Sequence, residues 1–175
     1  MKQDRPIVLF WRGTFSQWYN SEFTLGGFKF KWAEQWMMYK KAEKFGDTET
    51  MKRILHAKSP KECKQLGRQV HDFISAEWDK VSRDVVYEGN IAKFSQNVAL
   101  KKQLLATGDA VLAEASPHDK KWGIGLLASD PHAQDPSKWL GTNWLGEVLM
   151  RVRTELRNRQ ESAANERHKK TDRRK

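Results

Sequence analysis

The apolar positions along the chain predict several helices and a few short strands. Pro6-Ile7-Val8-Leu9-Phe10-Trp11 is a brief apolar run with β-branched residues, read as a buried strand that Arg12-Gly13 ends. Phe15-Ser16-Gln17-Trp18-Tyr19-Asn20 is aromatic and polar without a clear period, which predicts a loop, the kind of segment where binding residues gather. Phe23 to Phe30, broken by Gly26-Gly27, suggests a second strand or hairpin arm. From Trp32 the period turns helical, and Lys44-Phe45-Gly46-Asp47 supplies a basic last turn followed by glycine as a stop. Another helix is predicted over about Thr48 to Ala57. Ser59-Pro60-Lys61-Glu62 then combines an N-cap serine, proline at the first helical position and glutamate three residues after the cap, which opens a helix running to Gly67 or Val70.

A long helix from about Glu77 to Phe94 carries apolar residues on several faces, punctuated only by Gly89, and is expected to be central. Asn97 to Ala106 reads as a further helix stopped at Thr107-Gly108-Asp109, and Ala110 to Ala115 as a strand. Ser116 to Gly141 is a long loop rich in Pro, Gly, Asp and His, and structureless loops of that length in small domains are mostly functional or disordered. Thr142-Asn143 offers a cap for the last helix, whose Leu145, Val148, Leu149, Val152 and Leu156 form one buried stripe.

Composition adds limits. The 175 residues suit one domain, and although only 38% are hydrophobic, eight Trp and eight Phe supply large buried areas. No apolar run approaches the roughly 20 residues that span a bilayer, and Met1 to Pro6 lacks the apolar segment of a secretory signal, so a soluble protein of the cytoplasm or nucleus is expected. Cys63 is the only cysteine, which excludes an intramolecular disulfide and a thiolate-rich metal site. Its Lys-Glu-Cys-Lys-Gln setting predicts a helix-surface position without a catalytic role. The net charge is +10, and Arg157 to Lys175 alone holds eight Lys or Arg against three acids. That stretch, without aromatic residues, is expected to form a tail (157–175) that frays beyond the helix leading into it, serving as a solubilising terminus or as a salt-dependent attachment to phosphate-rich partners.

The helix beginning near Trp32 carries the most suggestive chemistry. At 100° per residue, Trp32, Trp36 and Tyr39 share one side, and Glu34, Met37, Met38, Lys41 and Phe45 share the opposite one. Both sides are mostly apolar, so protein should cover both. Glu34 and Lys41 lie two turns apart, about 10.5 Å along the axis. Either they are surface charges whose stems pass the methionines, or they line a pocket with a ligand between them. In a pocket, the carboxylate could orient water or ribose hydroxyls, and a desolvated, neutral amine could attack an anomeric carbon.

The pattern Glu34-Gln35, Met37-Met38, Lys41-Ala42 and Phe45-Gly46-Asp47 resembles that of the NADAR/YbiA-like family. Further similar stretches follow in order: Phe15 to Tyr19, Leu66-Gly67-Arg68, Trp78, Lys93 to Asn97, Leu104 to Asp109, Ser116-Pro117-His118-Asp119, Trp122-Gly123-Ile124-Gly125 and Asn143-Trp144-Leu145-Gly146. The resemblance covers Val8 to Leu156 and implies a compact, helix-rich α+β domain (1–156), a small sheet surrounded by helices, with a pocket for ribose-phosphate ligands. It implies Glu34, Lys41 and Asp119 as catalytic positions, Lys41 as a covalent catalyst through a Schiff base. It further implies Phe15, Ser16, Gln17, Trp18, Trp78, Trp122, Gly123, Gly125 and Asn143 as substrate-binding positions. Plainer roles stand beside these: Trp78 as a core anchor, Asp119 as a turn cap, Gly108 and Gly123 as turns. Arg12 and Arg68 would be phosphate ligands or would pair with carboxylates.

The resemblance implies an enzyme that breaks N-glycosidic bonds, and two substrates fit: ADP-ribose attached to guanine in DNA or RNA, and ribosylated pyrimidine intermediates of riboflavin synthesis. A charge of +10 favours the first, polyanionic one. A non-catalytic reader of ADP-ribose or nucleic acid is the alternative from another class. His56, His71, His118, His132 and His168 are scattered with no i, i+4 pairing, so neither a metal nor another cofactor is expected.

Overall fold

β1 (Ile7–Phe10) and β4 (Val111–Glu114) lie side by side in parallel, with Phe10 opposite Glu114, although about a hundred residues separate them in sequence. A parallel pair needs a crossover, and here most of the helices supply it. The structure, a computed structural model, describes residues 5–172, with side chains as far as residue 167. A second, separate pair is the antiparallel hairpin of β2 (Phe23–Leu25) and β3 (Phe28–Phe30). Its turn is made by Gly26 and Gly27 at φ 59° and 83°, the mirror-image turn that matches strand twist. Among the described residues two small sheets thus stand where one was expected.

The helices are α1 (Ala33–Lys44), α2 (Thr48–Leu55), α3 (Pro60–Gly67), α4 (Ser75–Gln96), α5 (Val98–Ala106) and α6 (Trp144–Asp172). Their starts follow local chemistry. Asp47 caps α2 by accepting from Thr50 N–H at 2.9 Å, and its other oxygen accepts from His71 N–H at 3.0 Å. Ser59 caps α3 by accepting from Glu62 N–H, while the Glu62 carboxylate reaches back to the Lys58 N–H. α1 sits in the middle of the molecule, with every residue from Ala33 to Tyr39 buried. It packs on α2, α3 and α4, and the Trp36 indole donates to the Val85 carbonyl of α4 at 2.8 Å. Close approach depends on glycine at Gly67 and Gly89, where a Cβ would run into Met38 and Trp36 respectively.

Cys63 is fully buried, contrary to the surface position its charged neighbours predict. Lys61 and Gln65 are exposed, while Cys63 and Leu66, three residues apart, share the α3 face in the core. The long segment after β4 is ordered around a small second core of Ala113, Ala115, Ile124, Leu126 and Ala133. Asn143 stands at the start of α6 as expected, its carbonyl accepting from Glu147 N–H at 3.1 Å, but its side chain does not cap the helix. At φ 54° it turns its side chain back on β4, accepting from Glu114 N–H at 3.1 Å and donating to the Leu112 carbonyl at 2.9 Å. The α6 stripe of Leu145, Val148, Leu149, Val152 and Leu156 is buried, and the helix continues with an exposed surface into the basic segment. Residues 173–175 of that segment lie outside the described residues. Among the described residues no helix is long and apolar enough to cross a membrane.

Candidate active site

The carboxyl ends of parallel strands are where ligands gather in open sheets, because the chain leaves the sheet there and exposes a crevice. In this molecule β1 leads at that end into Trp11 and Arg12, and β4 ends in Glu114. Two adjoining cavities open there. The inner one, about 250 Å³, includes Glu34, Met37, Met38 and Lys41 of α1 together with Trp78 of α4. The outer one, about 600 Å³, includes Trp11, Arg12, Tyr19 and His118. Ser16, Trp18, Lys64, Glu114 and Asp119 border both.

Glu34 and Lys41 therefore face one cavity, two turns apart on a buried helix. Burial is the main influence on Glu34, which is 7% exposed and has its carboxyl pushed up to about 7. The Lys64 and Lys41 charges and a hydrogen bond from Trp18 act against that rise, and the Asp119 charge adds to it. Lys41 is shifted the other way for an amine: desolvation lowers it, Glu34 offsets part of the fall, and Arg68 adds to it. Its ammonium nitrogen donates to the Gly67 carbonyl at 2.6 Å and lies 3.8 Å from the centre of the Phe73 ring.

Asp119 has a structural duty as well as a place at the cavity. Its Oδ1 accepts from the N–H groups of Lys121 and Trp122 at 2.9 and 2.7 Å, so it closes a turn and leaves the rest of the carboxylate facing the threshold. Trp78 is a buried core residue and also lines the inner cavity. Lys121, also on the inner wall, is held by both oxygens of Asp79 at 2.7 and 2.8 Å. Arg68 borders the inner cavity and Arg12 the outer one.

The loop carrying Ser16, Gln17 and Trp18 is pinned from three sides. The Gln17 carbonyl accepts from Glu34 N–H at 3.0 Å, the Gln17 side chain accepts from Asn90 Nδ2 at 2.9 Å, and the Ser16 carbonyl accepts from the buried Lys93 ammonium at 2.9 Å. Phe15 is anchored away from the cavities, between the rings of Phe10 and Phe94. Gly123, Gly125 and Asn143 likewise stand behind the wall and line neither cavity. A Cβ on Gly123 would meet the Asp119 and Glu114 carbonyls at 2.9 Å, so that glycine lets the loop close behind the carboxylates. Gly125 adopts φ 72° against Leu140.

Of the five residues that border both cavities, two were not singled out from the sequence. Glu114 lies inside the predicted strand Ala110 to Ala115, where its alternation with Ala113 and Ala115 gives no hint that a carboxylate meets Glu34 and Asp119. Lys64 reads as one of two surface lysines on α3, yet its nitrogen stands 5.9 Å from the centre of the Trp18 ring at the threshold. A single acid within an otherwise apolar predicted strand was the available signal for the first; no local signal marks the second.

Fold and site together define a helix-rich α+β domain with a buried carboxylate–lysine pocket at the carboxyl ends of a parallel strand pair. The NADAR domain pattern matches residues 9–157, and the chain belongs to that family. It is 47% identical over 146 residues to N-glycosidase R617 of Acanthamoeba polyphaga mimivirus, a match covering 81% of this chain and 86% of that protein. It is 36% identical over 125 residues to the chloroplastic riboflavin biosynthesis protein PYRR of Arabidopsis thaliana, covering 66% of this chain but 19% of that longer protein. The solution structure of YbiA from E. coli superposes with a TM-score of 0.73 at 28% identity, covering 91% of this chain and 89% of that one.

Proposed function

We propose that this chain is an N-glycosidase that removes ADP-ribose from guanine bases of DNA or RNA, with Lys41 as covalent catalyst and no metal in the reaction. The observation that carries this reading is the pairing of Glu34 and Lys41 on one buried face of α1, both turned to the inner cavity. Breaking a ribosyl C–N bond builds positive charge at the anomeric carbon, which the carboxylates of Glu34 and Asp119 are suited to stabilise. Burial keeps a larger share of the Lys41 amine neutral than in water, and only the neutral amine is a nucleophile.

In the proposed sequence the amine's electron pair bonds to the anomeric carbon while the C–N pair leaves with the base nitrogen, which takes up a proton. Loss of a proton from the new ammonium and opening of the sugar ring, with the ring oxygen protonated, give an imine. Water then hydrolyses the imine to the sugar aldehyde and the free lysine. Glu34, with its carboxyl near 7, is suited to carry protons in both directions. Among the described residues no group of three or more His, Cys, Asp and Glu is arranged to hold a metal ion.

The choice of an ADP-ribosylated nucleic acid rests on the +10 charge and on the half-exposed Trp11, Trp18 and Tyr19 beside the outer cavity, since aromatic faces and cations together suit a nucleic-acid strand. The second reading, hydrolysis of a phosphoribosylamino-pyrimidine of riboflavin synthesis, draws on the likeness to PYRR. Incubation with ADP-ribosylated oligonucleotide and, separately, with the pyrimidine riboside decides between them. Release of ADP-ribose is the expected result, and turnover of the pyrimidine alone would replace the first reading with the second. Tight binding without product from either would make the protein a reader. Borohydride added during turnover is expected to trap a covalent adduct in the wild type and none in Lys41→Ala; an active Lys41→Ala enzyme without an adduct would move the chemistry to Glu34 or Asp119.

A further inference from the structure

A glycosidic bond has two sides, and the two cavities offer one for each. The inner cavity carries Glu34 and Lys41, the groups suited to the sugar, with the Arg68 cation on its border. The outer cavity has none of these and is walled instead by Trp11, Tyr19 and His118, with the Trp11 and His118 rings 6.2 Å apart. A departing base has to be protonated from a group that reaches both spaces, so the donor belongs among the five residues at the threshold. Ser16 Oγ is taken by the Trp18 N–H, and Trp18 itself donates to Glu34. Asp119 is held by two backbone N–H groups on one oxygen. Glu114 differs from these: among the described residues no hydrogen bond engages its carboxyl group, although its backbone is fixed on both sides, N–H to Asn143 Oδ1 and carbonyl to the N–H groups of Ser116 and Ile124. It is a rigidly mounted acid with a free head.

We infer that Glu114 is the acid that hands a proton to the departing base, and that the outer cavity is the subsite in which the base sits against Trp11 and Tyr19. The inference rests on the N-glycosidase reading and adds to it the polarity of the substrate: phosphorylated ribose inward, base outward. As the C–N bond breaks, its electron pair stays on the base nitrogen, which takes the Glu114 proton. The proton released when the attacking amine bonds to carbon restores the acid. The surroundings suit this role. Burial, then the Asp119 and Glu34 charges, push the Glu114 carboxyl up to about 7, so a large share of it holds a proton at neutral pH. The Lys64 ammonium acts in the opposite sense and stabilises the carboxylate left after transfer.

The test compares two substrates that share a ribose 5-phosphate unit. One is an N-riboside with a base that needs a proton to leave. The other is the para-nitrophenyl riboside 5-phosphate, whose nitrophenolate leaves without one. Glu114→Gln is expected to lower kcat on the N-riboside by about 10²–10⁴-fold and on the nitrophenyl compound by less than about tenfold, whereas Glu34→Gln should lower both. Equal losses for Glu114→Gln on the two substrates, with its thermal unfolding unchanged, would overturn the assignment, as would an N-riboside rate that stays near wild type. Should Glu114→Gln fold poorly, Glu114→Asp carries the same comparison. Trp11→Ala is expected to raise KM for the N-riboside about fivefold or more while the Kd of ribose 5-phosphate holds; equal weakening of both would remove the base from the outer cavity. A wild type inactive on every N-riboside would be a different failure, that of the N-glycosidase reading itself, and this inference would fall with it.

Discussion

Lys41 and Lys93 make an instructive pair. Each is a buried lysine on a helix whose ammonium donates to a single backbone carbonyl, that of Gly67 for Lys41 and that of Ser16 for Lys93. Lys93 is fully enclosed, and burial alone pulls its amine down to about 7. Lys41 is 9% exposed, and what exposure it keeps is toward the inner cavity, where Glu34 pulls its amine back up against the desolvation. Desolvation thus weakens both amines, but only Lys41 has room for a reacting atom and a carboxylate to exchange protons with. Lys93 is a strut. By gripping the Ser16 carbonyl, it fixes the loop whose next residue, Gln17, accepts from the N–H of Glu34 itself.

That contrast can be broken by experiment. The largest effect is expected for Lys41→Ala, a fall in kcat of about 10²–10⁴-fold with little change in melting temperature, checked by steady-state kinetics and calorimetry. Lys41→Arg should not restore the rate, because a guanidinium stays protonated. A Lys41 variant that keeps its rate would make the two lysines alike.

Glu34→Gln should separate function from stability. The folded-state carboxyl near 7 lies above its ordinary 4.5, so the folded protein holds the extra proton and wild-type stability falls as pH rises from 4.5 through about 7. The glutamine variant lacks that loss. It is expected to be more stable than wild type at pH 8, by at most about 3 kcal/mol, and equally stable near pH 4, while its activity is low throughout. Denaturant melts at the two pH values check the sign.

Lys93→Met is expected to act on stability first. At pH 9 it leaves the Ser16 carbonyl buried without its donor, at a cost of about 1–3 kcal/mol. Acid reduces the difference. The Lys93 amine is depressed from 10.5 to about 7, so wild-type stability is lost as pH falls through that range, and the gap between wild type and Lys93→Met should narrow toward pH 6. A gap that widens on acidification would show that Lys93 is not held by burial in the way described.

Much of the local architecture could be read from the chain. The Ser59-Pro60-Lys61-Glu62 box, the Gly46-Asp47 stop, the Gly26-Gly27 break and the α6 stripe each act through neighbours a few residues away, and each has its counterpart in the structure. The helical projection likewise put Glu34 and Lys41 on one face, since 100° per residue is a property of the backbone alone. What failed did so through long-range contact. Cys63 looked exposed because its sequence neighbours are charged, the Asn143 side chain looked like a cap because the residue precedes a helix, and Glu114 drew no notice within a strand.

By itself, then, the sequence determined the helices, the Ser59 cap of α3, the buried character of α1 and the family pattern, all of which are encoded within a turn or two of chain. Only the tertiary structure decided that β1 and β4 run in parallel, and with that pairing it brought Trp11, Glu114 and Asp119 from distant positions to the cavity beside Glu34 and Lys41. The physical reason is that burial and electric field depend on what packs across the site. A carboxylate or an amine acquires its altered proton affinity from neighbours the chain order does not reveal.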